Sequence, residues 1–199
     1  MKQHFPSHVG IIPDGNRRWA TQNGLNKEDG YRYGLSAGLR LLRAAKRLGI
    51  KELTYYGFTV DNCKRPKAQV HAFSDACCEA VKLIEEEGVA VNVIGNTASQ
   101  CFPKELLSYT DRRSGDMVVN LLVNYGWEWD MSGGWLSREL PRIDLVIRWG
   151  GMRRLSGFLP IQTVYADFYI VDELWPDFNE KHLSDALEWY SGQDITLGG

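Results

Sequence analysis

The sequence predicts an α/β fold: a single domain with a central, mostly parallel six-stranded sheet flanked by helices. Three observations lead there. Short apolar runs recur with little polar alternation, as in strands buried on both faces. Between them lie stretches whose apolar residues repeat at three and four, the spacing of one helix face. The 199-residue chain is 44% hydrophobic and shows no internal repeat, low-complexity segment or linker, so one apolar core accounts for it.

In chain order, Val9–Ile12 is the first strand and opens into a loop at Asp14. Leu39, Leu42, Ala45 and Leu48 give the first helix its apolar face, and Leu53–Phe58 is the second strand. A helix carried by Ala76, Ala80, Leu83 and Ile84 leads to the third strand, Ala90–Ile94, and the fourth, Met117–Val123. Glu128–Leu140 is rich in Trp, Gly and Ser with little periodicity and reads as a surface segment with room to move. Leu145–Ile147 and Phe168–Val171 are the fifth and sixth strands. Asn179–Tyr190 closes the chain as a helix through Leu183, Ala186, Leu187 and Tyr190.

Composition excludes several classes. With 23 basic and 25 acidic side chains the formal net charge is −2, so the general basicity that favours nucleic acid is missing. Cys63, Cys77, Cys78 and Cys101 form no spaced CxxC pairs, which points to a reducing compartment rather than to zinc or disulfides. His4, His8, His71 and His182 have no ligand spacing, so a histidine metal site is not expected. Met1–His4 leads into a strand rather than an apolar signal, and no run approaches the roughly 18 to 20 apolar residues that span a bilayer. A cytoplasmic protein is expected, with membrane contact limited to its surface.

The chemistry concentrates where apolar strands end. Asp14-Gly15-Asn16-Arg17-Arg18-Trp19 follows the first strand, Asp61–Pro66 the second, and Arg148–Ser156 the fifth. In a parallel sheet these ends share one edge, where ligands bind. Their convergence brings up to seven cationic side chains to one cleft: Arg17, Arg18, Lys64, Arg65, Arg148, Arg153 and Arg154. Guanidinium groups suit a desolvated diphosphate, and Asp14 suits its metal. The split into clusters suggests two anion sites, one with Asp14, Asn16, Arg18 and Arg65, the other with Arg148, Arg154 and Ser156. Each feature alone has a plainer reading. A single Arg is usually solvated, Asp14-Gly15 and Gly150-Gly151 suit tight turns, and Trp19 and Trp175 suit a core or an interface.

Together these segments resemble the cis-prenyltransferases, the undecaprenyl diphosphate synthase family. Asp14–Ala20 is similar to its first motif, Phe58–Pro66 to its Asn-x-x-Arg-Pro segment, and Asn124-Tyr125-Gly126 to its central signature. Asp144–Phe158, Tyr165-Ala166-Asp167 and Leu174–Phe178 are similar to its carboxyl-terminal block, so the resemblance runs from His8 to about Tyr190. It implies a homodimer, a hydrophobic tunnel for a growing isoprenoid, and condensation of an allylic diphosphate with isopentenyl diphosphate. By the same likeness Asp14 binds Mg2+ on the allylic diphosphate, which Gly15, Asn16, Arg17, Arg18, Lys27 and Arg65 cradle. Arg148, Arg154, Ser156 and Asp167 hold isopentenyl diphosphate and its Mg2+, and Asn62 serves positioning or proton transfer near the reacting carbons. Tyr55, Tyr56, Phe58, Phe73, Leu83 and Val123 are the tunnel candidates, with plain core as their commoner fate.

The chain departs from that pattern at several positions. Tyr31, in the substrate site, replaces a histidine, Lys27 an arginine, Cys63 a tryptophan, and Trp149 and Met152 a threonine and a glutamate. Trp149 and Met152 beside the second diphosphate favour a short-chain or irregular prenyl synthase as the alternative. Glu128–Leu140 is shorter than the family's helical insertion, and the tail Gln193–Gly199 lacks the arginine the family contributes across the dimer. A noncatalytic partner subunit is the reading from another class, against which the retained Asp14, Asn62, Arg65, Arg148, Arg154 and Ser156 weigh. A phosphatase with Asp14 as nucleophile ranks last, because no Asp-x-Asp follows the strand.

Overall fold

The structure, a computed structural model, describes residues 5–194. Six strands form one all-parallel sheet: β1 His8–Ile12, β2 Glu52–Thr59, β3 Ala90–Ile94, β4 Val118–Tyr125, β5 Leu145–Arg148 and β6 Asp167–Ile170. Their spatial order is β3-β4-β2-β1-β5-β6, so β1 lies between β2 and β5. The register pairs Ile11 with Tyr55 on one side and Ile147 on the other, so β1 and β5 end together at Ile12 and Arg148 while β2 runs on to Thr59 at the same edge. That alignment delivers three distant segments to one edge.

Among the described residues five α-helices accompany the sheet: α1 Asn16–Gln22, α2 Gly30–Arg47, α3 Lys67–Glu86, α4 Trp127–Ser132 and α5 Glu180–Ser191. Apolar burial runs through α2 at Leu41, Leu42, Ala44 and Ala45 and through α5 at Leu183, Ala186, Leu187 and Tyr190. Helix α3 buries only Cys77, Val81 and Ile84 of its 20 residues. Much of its inward face borders a cavity instead. The tail residues 195–199 lie outside the described residues, as do Met1–His4.

Two stretches differ from the sequence reading. The segment after β1 is a loop for only a few residues, because α1 starts at Asn16. The 128–140 segment is largely exposed, yet it begins with α4 and is pinned from within. Buried Asp130 accepts hydrogen bonds from the Tyr125 hydroxyl (2.7 Å) and from the backbone and side chain of Ser137 (2.8 and 2.6 Å). Gln162 then donates to the Ser137 carbonyl at 2.8 Å. Buried polar groups joined this way fix a segment that shows no apolar period.

Candidate active site

Strand β1 ends at Ile12, and the chain turns through Asp14 and Gly15 into α1. Gly15 has φ 113, and a β-carbon there would sit 2.8 Å from Leu174 Cδ2, so both backbone and packing demand glycine. The turn aims Asp14 toward β5. Arg148, the last residue of β5, donates from Nη2 to Asp14 Oδ2 at 2.8 Å and from Nη1 to Ser156 Oγ at 2.9 Å, and also to the Arg154 carbonyl. Its side chain is only 5% exposed, and its Nε has no partner among the described residues. Arg18, one helical turn beyond Asp14, approaches the other carboxylate oxygen at 3.4 Å and donates to the Gly150 carbonyl at 3.1 Å.

The second strand adds the opposite wall. Beyond β2 a 3-10 turn, Val60–Lys64, carries Asp61 and Asn62. Asn62 Oδ1 accepts the Thr59 backbone N–H at 3.2 Å, leaving its amide N–H2 as the group to present to a ligand. Arg65 Nη1 donates to the Tyr31 hydroxyl at 2.9 Å, and the Tyr31 ring packs on Phe73 at 4.4 Å between centroids. The tyrosine thus fixes a guanidinium and narrows the passage below it. Tyr56 on β2 donates to the Ser156 carbonyl at 2.9 Å, holding a residue whose φ is 53.

These groups rim a cavity of about 940 Å³. Asp14, Gly15, Asn16, Arg17, Arg18, Lys27, Tyr31, Asn62, Arg65, Arg148, Arg154 and Ser156 all line it. Below them its wall turns apolar, with Leu39, Tyr55, Phe73, Ala80, Leu83 and Ile84 among the lining residues. Of the tunnel candidates, Tyr55, Tyr56, Phe73 and Leu83 face this space, whereas Phe58 and Val123 are fully buried core.

Several expected placements are corrected. Lys64 pairs with Asp61 at 2.7 Å, and neither it nor Arg153 is among the lining residues, so five of the seven cations, Arg17, Arg18, Arg65, Arg148 and Arg154, line the cavity, joined there by Lys27. Asp167 starts β6 opposite Leu145, which pairs with Val9, so it lies at the other end of the strands from Asp14. The cavity's carboxylates are Asp14 and Asp61. Trp149 also faces away: fully buried, it packs on Trp175 at 4.8 Å and Phe178 at 5.9 Å and donates to His182 Nδ1 at 3.3 Å. Met152 does line the cavity. The Gly150 and Gly151 N–H groups bind the Glu173 and Val171 carbonyls, which makes the glycine pair a structural turn.

The donor set suits a hard divalent ion only in company. Among the described residues no three His, Cys, Asp or Glu side chains cluster to hold a metal. Magnesium, however, is commonly held by one or two carboxylates plus substrate phosphates, and Asp14, beside Arg18 and Arg148 in the cavity wall, is a carboxylate that could take the protein's part.

A parallel α/β sheet whose carboxyl edge joins a cationic rim to an apolar cavity defines a class of protein built for ligands with a charged head and a greasy body. The comparisons name the family. A family profile described as "Putative undecaprenyl diphosphate synthase" (Prenyltransf) matches residues 12–137 and 134–198, and the chain belongs to this cis-prenyltransferase family. It is 30% identical to the ditrans,polycis-undecaprenyl-diphosphate synthase ((2E,6E)-farnesyl-diphosphate specific) of Aliivibrio fischeri, over 98% of this chain and 89% of that protein. It is 31% identical to the synthase of the same name from Pasteurella multocida, over 98% and 96%. The lavandulyl diphosphate synthase of Lavandula x intermedia, solved with dimethylallyl diphosphate, superposes with a TM-score of 0.82 at 25% identity, covering 98% of this chain and 99% of that one. The alignment to the Aliivibrio synthase runs over 229 positions, more than the 199 residues of this chain, so that relative carries residues this chain lacks. The two profile matches meet at 134–137, inside the segment that reads as shortened.

Proposed function

We propose that this chain is a prenyltransferase that joins an allylic isoprenoid diphosphate to isopentenyl diphosphate and releases a cis-prenyl diphosphate. The observation that carries the reading is the one cavity in which arginines from three strand ends rim an apolar interior. Breaking the allylic C–O bond leaves the electron pair on the departing diphosphate. Arg18, Arg65 and Lys27, with the amide of Asn62, are placed to stabilise that charge. Asp14 would hold Mg2+, which supplies further neutralisation of the leaving group.

Arg148, Arg154 and Ser156 anchor the second diphosphate, so that its alkene meets the allylic carbon; the new C–C bond forms, and a proton passes to the departed diphosphate to restore a double bond. Arg148 suits this role because the Arg154 carbonyl and Ser156 Oγ hold the Nη1 side of its planar fork in place. The apolar walls keep the cation from water and take up the growing chain, as a tunnel would. The chain acts as one domain. Free cysteines fit a reducing cytoplasm. An open β6 edge beside exposed Val164 and Tyr165 suits a homodimer. Contact with membrane is peripheral, where an apolar product leaves.

A second reading is a short-chain or irregular condensation. Apolar Met152, which shares the cavity wall with Arg154 and Ser156, and the likeness to the lavandulyl diphosphate synthase favour it. Incubating the protein with Mg2+, radiolabelled isopentenyl diphosphate and a panel of allylic diphosphates, then sizing the products, tests both. Long labelled cis-polyprenyl products support the first reading and short or branched ones the second; no labelled product from any pair rejects both.

A further inference from the structure

The Asn124-Tyr125-Gly126 run is not among the residues lining the cavity, although it sits where β4 leaves the sheet. Asn124 is fully buried with φ 51, a left-handed conformation that few residues besides Gly, Asn and Asp adopt readily. Both ends of its carboxamide are engaged. Nδ2 donates to the Asn96 carbonyl at 3.0 Å, and Oδ1 accepts the Cys63 thiol at 3.1 Å. Burial pushes that thiol up to about 12, so it keeps the proton it donates.

Cys63 adjoins Asn62 within the Val60–Lys64 turn, and the Arg65 backbone N–H bonds the Asn62 carbonyl at 3.1 Å. The other end of the turn also rests on this run. A β-carbon at Gly126 would lie 2.8 Å from Val60 Cγ2, so only glycine lets the turn seat there. Asn62 and Arg65 therefore hang on a support that never reaches the ligand.

We infer that Asn124 is a positioning residue: through the Cys63 thiol it seats the Val60–Lys64 turn and so sets where Asn62 and Arg65 meet the allylic diphosphate. The inference rests on the prenyl-transfer reading. Misplacement of such groups by about 1 Å can slow a reaction by roughly 100-fold, so a partial shift should slow it by about 10-fold.

Three single variants, and the double variant joining Asn124→Gly to Cys63→Ala, test it. Asn124→Gly keeps the left-handed backbone while deleting both amide hydrogen bonds, Cys63→Ala removes one donor, and Cys63→Ser restores a donor of similar shape. We expect Asn124→Gly and Cys63→Ala each to lower kcat by about 10-fold with the KM for isopentenyl diphosphate unchanged. The double variant should be little slower than either single one, and Cys63→Ser should recover most of the loss. A wild-type kcat in Cys63→Ala, independent effects in the double variant, or a serine variant as slow as the alanine one would overturn the assignment. So would a lowered Tm without the kcat change. If Asn124→Gly fails to fold, the two Cys63 variants decide alone. Absence of turnover in the wild-type protein would instead strike the prenyl-transfer reading itself.

Discussion

Asp14 pairs with Arg148 and Arg18, whose guanidinium groups a diphosphate would use. Asp14→Asn removes the charge with little change of shape and should therefore act in opposite directions with and without metal. The Arg148 contact dominates, since its side chain is 5% exposed and 2.8 Å from the carboxylate, which is itself 33% exposed. The Arg18 contact is longer at 3.4 Å, with the arginine 44% exposed, and contributes at most about 1 kcal/mol. A hydrogen bond to a charged group is worth about 1.5–3 kcal/mol. Releasing Arg148 should then tighten inorganic pyrophosphate by about 10- to 150-fold when divalent ions are chelated. With Mg2+ present the variant should bind pyrophosphate more weakly than wild type, and prenyl transfer should fall about 100-fold or more. Isothermal titration of both proteins with pyrophosphate, in chelator and in Mg2+, measures each arm. If the variant binds no tighter in chelator, Asp14 does not compete for the arginines, and the reasoning fails.

Arg148→Ala deletes one charge-assisted hydrogen bond to the second diphosphate and should raise the KM for isopentenyl diphosphate by about 10- to 150-fold; an unchanged KM in a folded variant would remove Arg148 from that site. Trp149→Ala should lower stability by about 3–5 kcal/mol and Tm by about 10 °C while leaving that KM near wild type. A KM change at intact Tm would show that Trp149 faces the substrate after all. Burial holds His8 below its ordinary value of 6.5, so the unfolded chain takes up a proton that the folded one resists. Stability is then complete above pH 6.5 and declines as the pH falls below it. His8→Gln should flatten that slope in thermal melts, and an equally steep slope would clear His8 of the effect.

The sheet was legible because a strand buried on both faces must be apolar almost throughout, as Val9–Ile12 and Leu145–Ile147 are. The cationic rim was legible because arginines directly after such strands have one sheet edge to share. Side-chain direction was not. Trp149 follows Arg148 directly yet faces the other way, into an aromatic cluster with Trp175 and Phe178, and adjacent residues at a strand end give no sign of that. Motif likeness draws Asp167 to the site, whereas its register at the start of β6 sends it to the opposite end of the sheet. Helix α4 is hidden from a periodicity reading because in its six residues Trp127, Trp129 and Met131 alternate with Glu128, Asp130 and Ser132, which is not the spacing of one helix face. The support that Asn124 gives to Cys63 depends on a left-handed backbone angle, which an Asn-Tyr-Gly triplet permits but does not announce.

The pair formed by Asp14 and Arg148 spans 134 positions of sequence. A ribosome has therefore made these 134 further residues before the two can meet, and a nascent fragment ending ahead of β5 lacks Arg148 and Arg154, two of the six rim cations. Ligand-linked protection against proteases reaches only molecules able to bind, so substrate shields finished copies and leaves truncated ones exposed to degradation.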